Sequence, residues 1–394
     1  MCKGKFIKVS LLVSFIAISI IMTSVPGITD KMRPELDVPY EPTHPSVVSS
    51  MLSVANVSKG DVLYDLGCGD GRIVVMAVRK FGAARAVGID LDPQRLLEAK
   101  ERAKAYGVLD KIRFVQGNIM EVDASPATVV TMYLLDSVNL MVRPKLFMEL
   151  RPGTRCVAHA FHMADWKQDK IVQHPKARHN RISYWVIPAH LGGSWKWKTG
   201  TPAGDVASSM NIMQKFQRIN GTLNFDGSRD VAIADPYVNG KNVSFTARVN
   251  YKGQGVNVLY KGVAEGDVIR GTQEWKGGPH SGKYIWVAKR EAANVYGTWE
   301  VSLQGGRAPL DGKLVLARKG RKLVASYYVT SEGRDERIRQ IYVWGNSVYF
   351  RVPLFGRESV AIFSGNLSGD KGQGTVKSKT WGAASYNWTA RRTR

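Results

Sequence analysis

From Lys59 to Gly82 the chain reads KGDVLYDLGCGDGRIVVMAVRKFG. An apolar, β-branched run ends in glycines and passes directly into apolar residues at helical spacing, Val74, Val75 and Val78. A strand that must turn at once into a helix leaves few folds open. Gly67, Gly69 and Gly71 allow a tight turn and close approach of a ligand to the main chain, and the helix N-terminus faces the same point. A second strand, RAVGIDLD, places Asp90 19 residues after Gly71, where a carboxylate can reach the two hydroxyls of a ribose.

The pattern continues with a helix over about 93–106, strands IRFVQGN and TVVTMYLL, a helix around 140–150 and a strand TRCVAHAF. Alternation of this kind predicts an α/β fold, a parallel sheet covered by helices on both faces. DKIVQHP and RISYWVIP read as two further strands joined by a turn, an antiparallel addition. Asp92, immediately before Pro93, reads as the N-cap of the helix that follows.

The loop D-L-G-C-G-D-G has an acid before its first glycine and lacks the GxGxxG spacing of dinucleotide dehydrogenases. Together with Asp90 and the strand order, it resembles the class I S-adenosylmethionine-dependent methyltransferases over about residues 36–190. Upstream, Val38-Pro39-Tyr40-Glu41-Pro42-Thr43 is similar to the PYxPT signature shared by bacterial membrane-anchored proteins and mitochondrial protein-lysine methyltransferases. The resemblance implies a Rossmann-like, seven-stranded domain with S-adenosyl-L-methionine as methyl donor and Tyr40 and Thr43 folded over it. Asp65 then suits the methionine ammonium, Gly67, Gly69 and Gly71 form the loop, and Asp90 takes the ribose. Asn118 meets the adenine edge and Ile119 lies against the ring. Other readings stay open: Tyr40 as a core aromatic, Asp65 as a cap for the glycine loop, Ile119 as an ordinary buried residue. Glu41 stands where relatives have an apolar residue, and Asn118 where many have Asp.

On the acceptor side lie Tyr133, Asp136, His159 and His162. The chain reads MYLLDS where a (D/N)PP(Y/F) loop would have identified an amide or amine acceptor. Asp136 either orients an incoming lysine ammonium or caps a helix beginning at Ser137. His159 is either a base or a satisfied structural residue. Cys2, Cys68 and Cys156 are scattered, which excludes a disulfide scaffold and a thiolate zinc site.

Lys3, Lys5 and Lys8 precede an uncharged apolar stretch over 9–25, broken by Pro26 and Gly27. Without an A-x-A cleavage site this reads as an uncleaved membrane anchor, with a signal peptide as the other reading. The positive-inside rule would then export the rest of the chain, away from the cytoplasm where the methyl donor is made.

The second half repeats itself. Gly193-Ser194-Trp195 recurs as Gly297-Thr298-Trp299, offset by 104, and the YIWVAKR beginning at Tyr284 recurs as YNWTARR from Tyr386, offset by 102. Gly262, Gly266-Asp267 and Gly271-Thr272 recur at an offset of 103. Two homologous antiparallel modules, barrel- or sandwich-like, follow from these offsets and from the short alternating strands. The expected division is 1–29, 30–190, 191–292 and 293–394.

Residues 191–394 carry 31 basic and 15 acidic side chains, against 25 and 18 in residues 1–190. That charge suits an anionic surface, while a nucleic-acid partner has no supporting motif. The modules hold no cluster of His, Cys or carboxylates. They are therefore expected to fold independently and to affect where the enzyme acts, without helping to build its site. Two functions are in play: a membrane-anchored methyltransferase acting on a protein lysine or another envelope acceptor, and a non-catalytic envelope-binding protein that retains the fold.

Overall fold

The computed structural model describes residues 38–175, 181–278, 280–291, 294–304, 310–319, 322–338, 341–354, 359–378 and 385–393. The proposed anchor lies outside these residues. Among the described residues no helix is long and apolar enough to cross a membrane.

The first half is a seven-stranded mixed sheet. Its strands are β1 (Val62–Leu66), β2 (Arg85–Asp90), β3 (Ile112–Gln116), β4 (Val129–Met132), β5 (Arg155–His159), β6 (Lys170–Gln173) and β7 (Arg181–Val186), in the order β3-β2-β1-β4-β5-β7-β6. The first five run parallel, and β7 joins β5 antiparallel with β6 at the edge, as the two closing sequence runs predict.

Helices α1 (Pro45–Val54), α2 (Arg72–Phe81), α3 (Pro93–Ala105) and α4 (Asp136–Glu149) cover it. Alternation along the strands divides the core. Leu63, Val129 and Val157 pack with α1, α2 and α3, whereas Tyr64, Val130 and Cys156 pack with α4. Asp92 caps α3 by accepting the Gln94 amide N–H at 2.8 Å, with Pro93 at the first helical position. Asp136 is the first residue of α4 rather than its cap. Its carboxylate accepts the His162 amide at 2.9 Å.

The second half is two nine-stranded antiparallel sheets. The first comprises β8 (Gly193–Thr201), β9 (Gly204–Lys215), β10 (Arg218–Phe225), β11 (Val231–Ala232), β12 (Ala234–Asn239), β13 (Asn242–Tyr251), β14 (Gln254–Glu265), β15 (Val268–Lys276) and β16 (Gly282–Arg290). The second comprises β17 (Gly297–Gln304), β18 (Gly312–Lys319), β19 (Lys322–Val329), β20 (Arg334–Ile338), β21 (Ile341–Trp344), β22 (Ser347–Leu354), β23 (Ser359–Ser368), β24 (Lys371–Ser378) and β25 (Ser385–Thr393).

Their orders are β11-β10-β9-β8-β16-β15-β14-β13-β12 and β20-β19-β18-β17-β25-β24-β23-β22-β21, the same topology strand for strand. Each is a nearly closed barrel whose first and last strands pair, leaving a seam between the fourth and fifth strands. The duplication extends to single interactions. Trp195 donates to the Leu191 carbonyl at 2.7 Å and Trp299 to the Val295 carbonyl at 2.9 Å. Arg290 and Arg392 lie over these two indoles at 4.4 and 4.5 Å. All four of the repeated tryptophans, Trp195, Trp286, Trp299 and Trp388, are buried in the barrel cores.

The modules are packed onto the first domain. Phe216, in the β9–β10 turn, stacks on Trp166 at 4.9 Å and meets Phe147 edge-on. From the second module, Tyr349 and Ile362 form a small core with Met148 of α4. Tyr342 donates its hydroxyl to Glu149 Oε2 at 2.5 Å, while Glu149 Oε1 accepts from Lys145 at 2.8 Å and from the Ala124 amide. Burial, and then the bond to Glu149, push the Tyr342 phenol pKa up. Tyr342→Phe leaves a carboxylate oxygen without its donor and should destabilise the protein by about 1–3 kcal/mol in urea unfolding.

Candidate active site

The three glycines of the loop all have positive φ, +77° at Gly67, +50° at Gly69 and +73° at Gly71. A Cβ at Gly69 would lie 2.7 Å from the Tyr40 ring, so the loop is shaped to the aromatic above it. Tyr40 is 41% exposed, held between Gly69 and the Arg95 guanidinium, which lies 4.3 Å from its ring. The reading of Tyr40 as a core aromatic therefore gives way to a partly exposed cover.

The PYxPT segment is tied down at Thr43. Arg72 donates to its carbonyl at 2.9 Å, and its hydroxyl bonds His159 Nδ1 at 3.2 Å. Arg72 also pairs with Asp70 at 2.6 Å, and Arg102 reaches the same carboxylate at 2.7 Å. Burial alone would raise the Asp70 pKa, but the two arginines hold it below the usual carboxylate range.

A cavity of about 410 Å³ opens above the loop. Tyr40, Thr43, Asp65, Gly67, Gly69, Asp90, Asn118 and Ile119 all line it. Gly71 does not: as the N-cap of α2 it packs against Ala99, where a Cβ would come within 2.8 Å. Asp136 and His159 do not line it either. His159 is buried beneath Tyr133, with ring centroids 4.1 Å apart, and Tyr133 itself faces the cavity.

Asp65 is 1% exposed at the end of β1. One oxygen accepts the Thr131 hydroxyl at 2.8 Å, and Oδ2 has no hydrogen-bond partner. Burial, then repulsion from Asp90 and Asp70, raises its pKa to about 8 against the stabilising Thr131 bond. Asp90 accepts the Gly69 and Asp92 amides at 2.8 and 3.0 Å, so it shapes the loop as well as facing the cavity. The Asn118 side-chain oxygen accepts the Met120 amide at 2.9 Å, so it is engaged within the fold.

Sequence reasoning missed one wall entirely. Arg351, Val360, Ile362, Lys377 and Ser378 of the second β module line the same cavity. The expectation that the modules take no part in the site is corrected here. The tertiary packing of β21, β22 and β23 onto α4 overrides it, and alternation within those strands gives no sign of what each face will meet.

A model of the ANTKMT methyltransferase domain matches residues 65–170. A protein-lysine N-methyltransferase of Saccharolobus islandicus is 45% identical over 154 residues, which are 39% of this chain and 96% of that protein. The chain belongs to the class I protein-lysine methyltransferases. The adenine nucleotide translocase lysine N-methyltransferase of Mus musculus is 27% identical over 178 residues, which are 45% of this chain and 75% of that protein. A solved structure described as an RNA methyltransferase from Salinibacter ruber, in complex with S-adenosyl-L-homocysteine, is 48% identical, with 38% of this chain and 96% of that one covered and a TM-score of 0.37.

As a member of this family the protein is a methyltransferase and its methyl donor is S-adenosylmethionine. The residues present fit that group. A buried, unpartnered carboxylate oxygen suits an ammonium, and the glycine loop admits close approach of a ligand. Asp90→Ala removes a carboxylate that lines the cavity and the clamp on Gly69 together, so donor affinity should fall tenfold or more by calorimetric titration.

Proposed function

We propose that the protein transfers a methyl group from S-adenosylmethionine to a lysine side chain of another protein. The observation that carries this is the unpartnered Asp65 oxygen on a cavity whose first-domain lining is predominantly acidic, Glu41 and Glu121 among six carboxylates against Arg72 and Arg95. Asp65 holds the ammonium of the donor, Asp90 its ribose and Asn118 its base, with Tyr40 covering the loop. The donor supplies an already activated methyl group, so the chain has chiefly to position and desolvate.

Glu41 and Glu121 draw a cationic acceptor to the rim. A lysine entering a cavity that already holds one positive charge is driven towards its neutral amine, the form that can attack. His159 is a positioning residue, holding Thr43 on one side and the Tyr133 ring on the other. Asp136 fixes the turn at His162.

The N-terminal stretch at 9–25 is read as a membrane anchor, which would bring the domain to membrane-associated acceptors. Carbonate extraction of native membranes checks it: an anchored chain stays in the pellet. The lysine reading is tested by isotope-labelled methyl transfer into a native extract, with protein and RNA separated and the protein then hydrolysed to amino acids. Methyl-lysine is the expected product, and label confined to RNA would reject the lysine reading.

A further inference from the structure

The cavity has two electrically different sides. The acids that line it, among them Asp65, Asp90, Glu41 and Glu121, come from the first domain and outnumber that domain's Arg72 and Arg95 there. From the second β module come Arg351 and Lys377, with Val360, Ile362 and Ser378, and no acid among the described residues. We propose that the second β module is the acceptor-side wall of the active site and selects lysines carried in acidic segments, with Lys377 and Arg351 receiving the carboxylates that flank the target. This rests on the lysine reading above and specifies its substrate class.

Three observations support it. First, the wall is built in. Arg351 donates to the Met120 carbonyl at 2.6 Å, Ile362 is part of the core around Met148, and Tyr342 is fixed on Glu149. Second, the wall is additional to the catalytic unit. The 154 residues matched account for 96% of the Saccharolobus enzyme, so most of the 394 residues here, including a region the size of the two modules, have no counterpart in it. A segment that is dispensable for a methyltransferase of that length and yet borders the cavity is placed to govern what enters.

Third, the sign of the charge is informative. Two cations do nothing to attract a lysine, but they complement carboxylates beside it, and like charges there would repel a basic segment. Burial and the nearby Arg143 guanidinium depress the Lys377 pKa against the pull of Asp165, so an arriving carboxylate offsets a cost the folded protein already bears.

The test uses the full chain. Native extract is labelled with isotopic donor by the wild type, by Lys377→Gln and by Lys377→Glu, and modified lysines are located by peptide mass spectrometry. Both variants should melt cooperatively within a few degrees of the wild type, since Lys377 is a half-buried surface of the wall. The expected result is that wild-type sites have Asp or Glu within about three residues, that labelling of these sites falls about tenfold with Lys377→Gln, and that Lys377→Glu shifts labelling towards lysines with basic neighbours. Lysines labelled without acidic neighbours, or the same sites labelled equally by all three proteins, would overturn the proposal while leaving the lysine reading intact. Label in RNA with none on lysine would overturn both. If a variant melts early, Arg351→Gln serves as the second substitution, and an unchanged site preference in it counts against the proposal in the same way.

Discussion

Asp65→Asn should abolish tight binding of S-adenosylmethionine while making the unliganded protein more stable. The two effects have one origin. With a pKa of about 8, the buried carboxyl is mostly protonated at neutral pH in the unliganded protein, and a cation reaching Oδ2 favours its ionised form. The asparagine keeps the shape and loses the charge, leaving the donor's ammonium unpaired in a buried site. A loss of about 100-fold or more in affinity follows from a charge-assisted bond of 1.5–3 kcal/mol plus the unpaired group.

The sign of the pH dependence is fixed by the raised pKa. The native state holds a proton that the unfolded chain gives up near pH 4, so this group's contribution makes stability fall as pH rises from about 4 to about 8. At pH 7 the difference is roughly 4 kcal/mol, which Asp65→Asn recovers as a higher melting temperature. Binding has the opposite slope. With the donor's ammonium at Asp65, as proposed above, binding would expel its proton, so affinity should rise by up to tenfold per pH unit below about pH 8. Calorimetry in two buffers of different ionisation enthalpy would register close to one proton released by the wild type and none by Asp65→Asn. A wild type that releases no proton would show Asp65 to be ionised before binding.

Truncation after residue 190 should cripple the first domain. Cutting there removes Phe216 from Trp166 and Phe147, strips Tyr349 and Ile362 from Met148, and takes the Tyr342 hydroxyl from Glu149. Two or three large apolar side chains uncovered at about 1.5–3 kcal/mol each, with a buried carboxylate oxygen left unpaired, amount to much of an ordinary domain's 5–15 kcal/mol. The expected result is a melting temperature lower by 10 °C or more, or aggregation, together with weakened donor binding. A truncated domain that melts within a few degrees of the full chain would show the interface to be incidental.

What could be read in advance was what lies close along the chain. Gly67, Gly69 and Asp90 are placed by one strand-loop-helix-strand unit, and all three face the cavity. The barrels were legible because a repeat advertises itself in sequence offsets. Contacts across the fold were not legible. Arg351 reaches Met120 over a separation of 231 residues, and nothing in a strand of alternating residues says which surface it will meet. His159 and Asp136 are chemically apt for catalysis, but their neighbours, Thr43 and His162, are set by packing. Asp70 carries no signal of its own in the loop, because only the folded chain brings Arg102 to it.

The pairing of β8 with β16, and of β17 with β25, has a bearing on how such a protein can grow. A barrel whose first and last strands are antiparallel neighbours takes the chain in and lets it out side by side at one end, so inserting or copying the unit lengthens the protein without rethreading anything already folded. A single genetic event of about 100 residues then yields a complete second barrel with its own tryptophans and arginine clamp. Once there are two, the constraints on them separate. The later barrel in the chain borders the methyl-transfer cavity and must keep its face to it, whereas the earlier one packs at Trp166, away from that cavity's lining, and is at liberty to diverge on its outer surface.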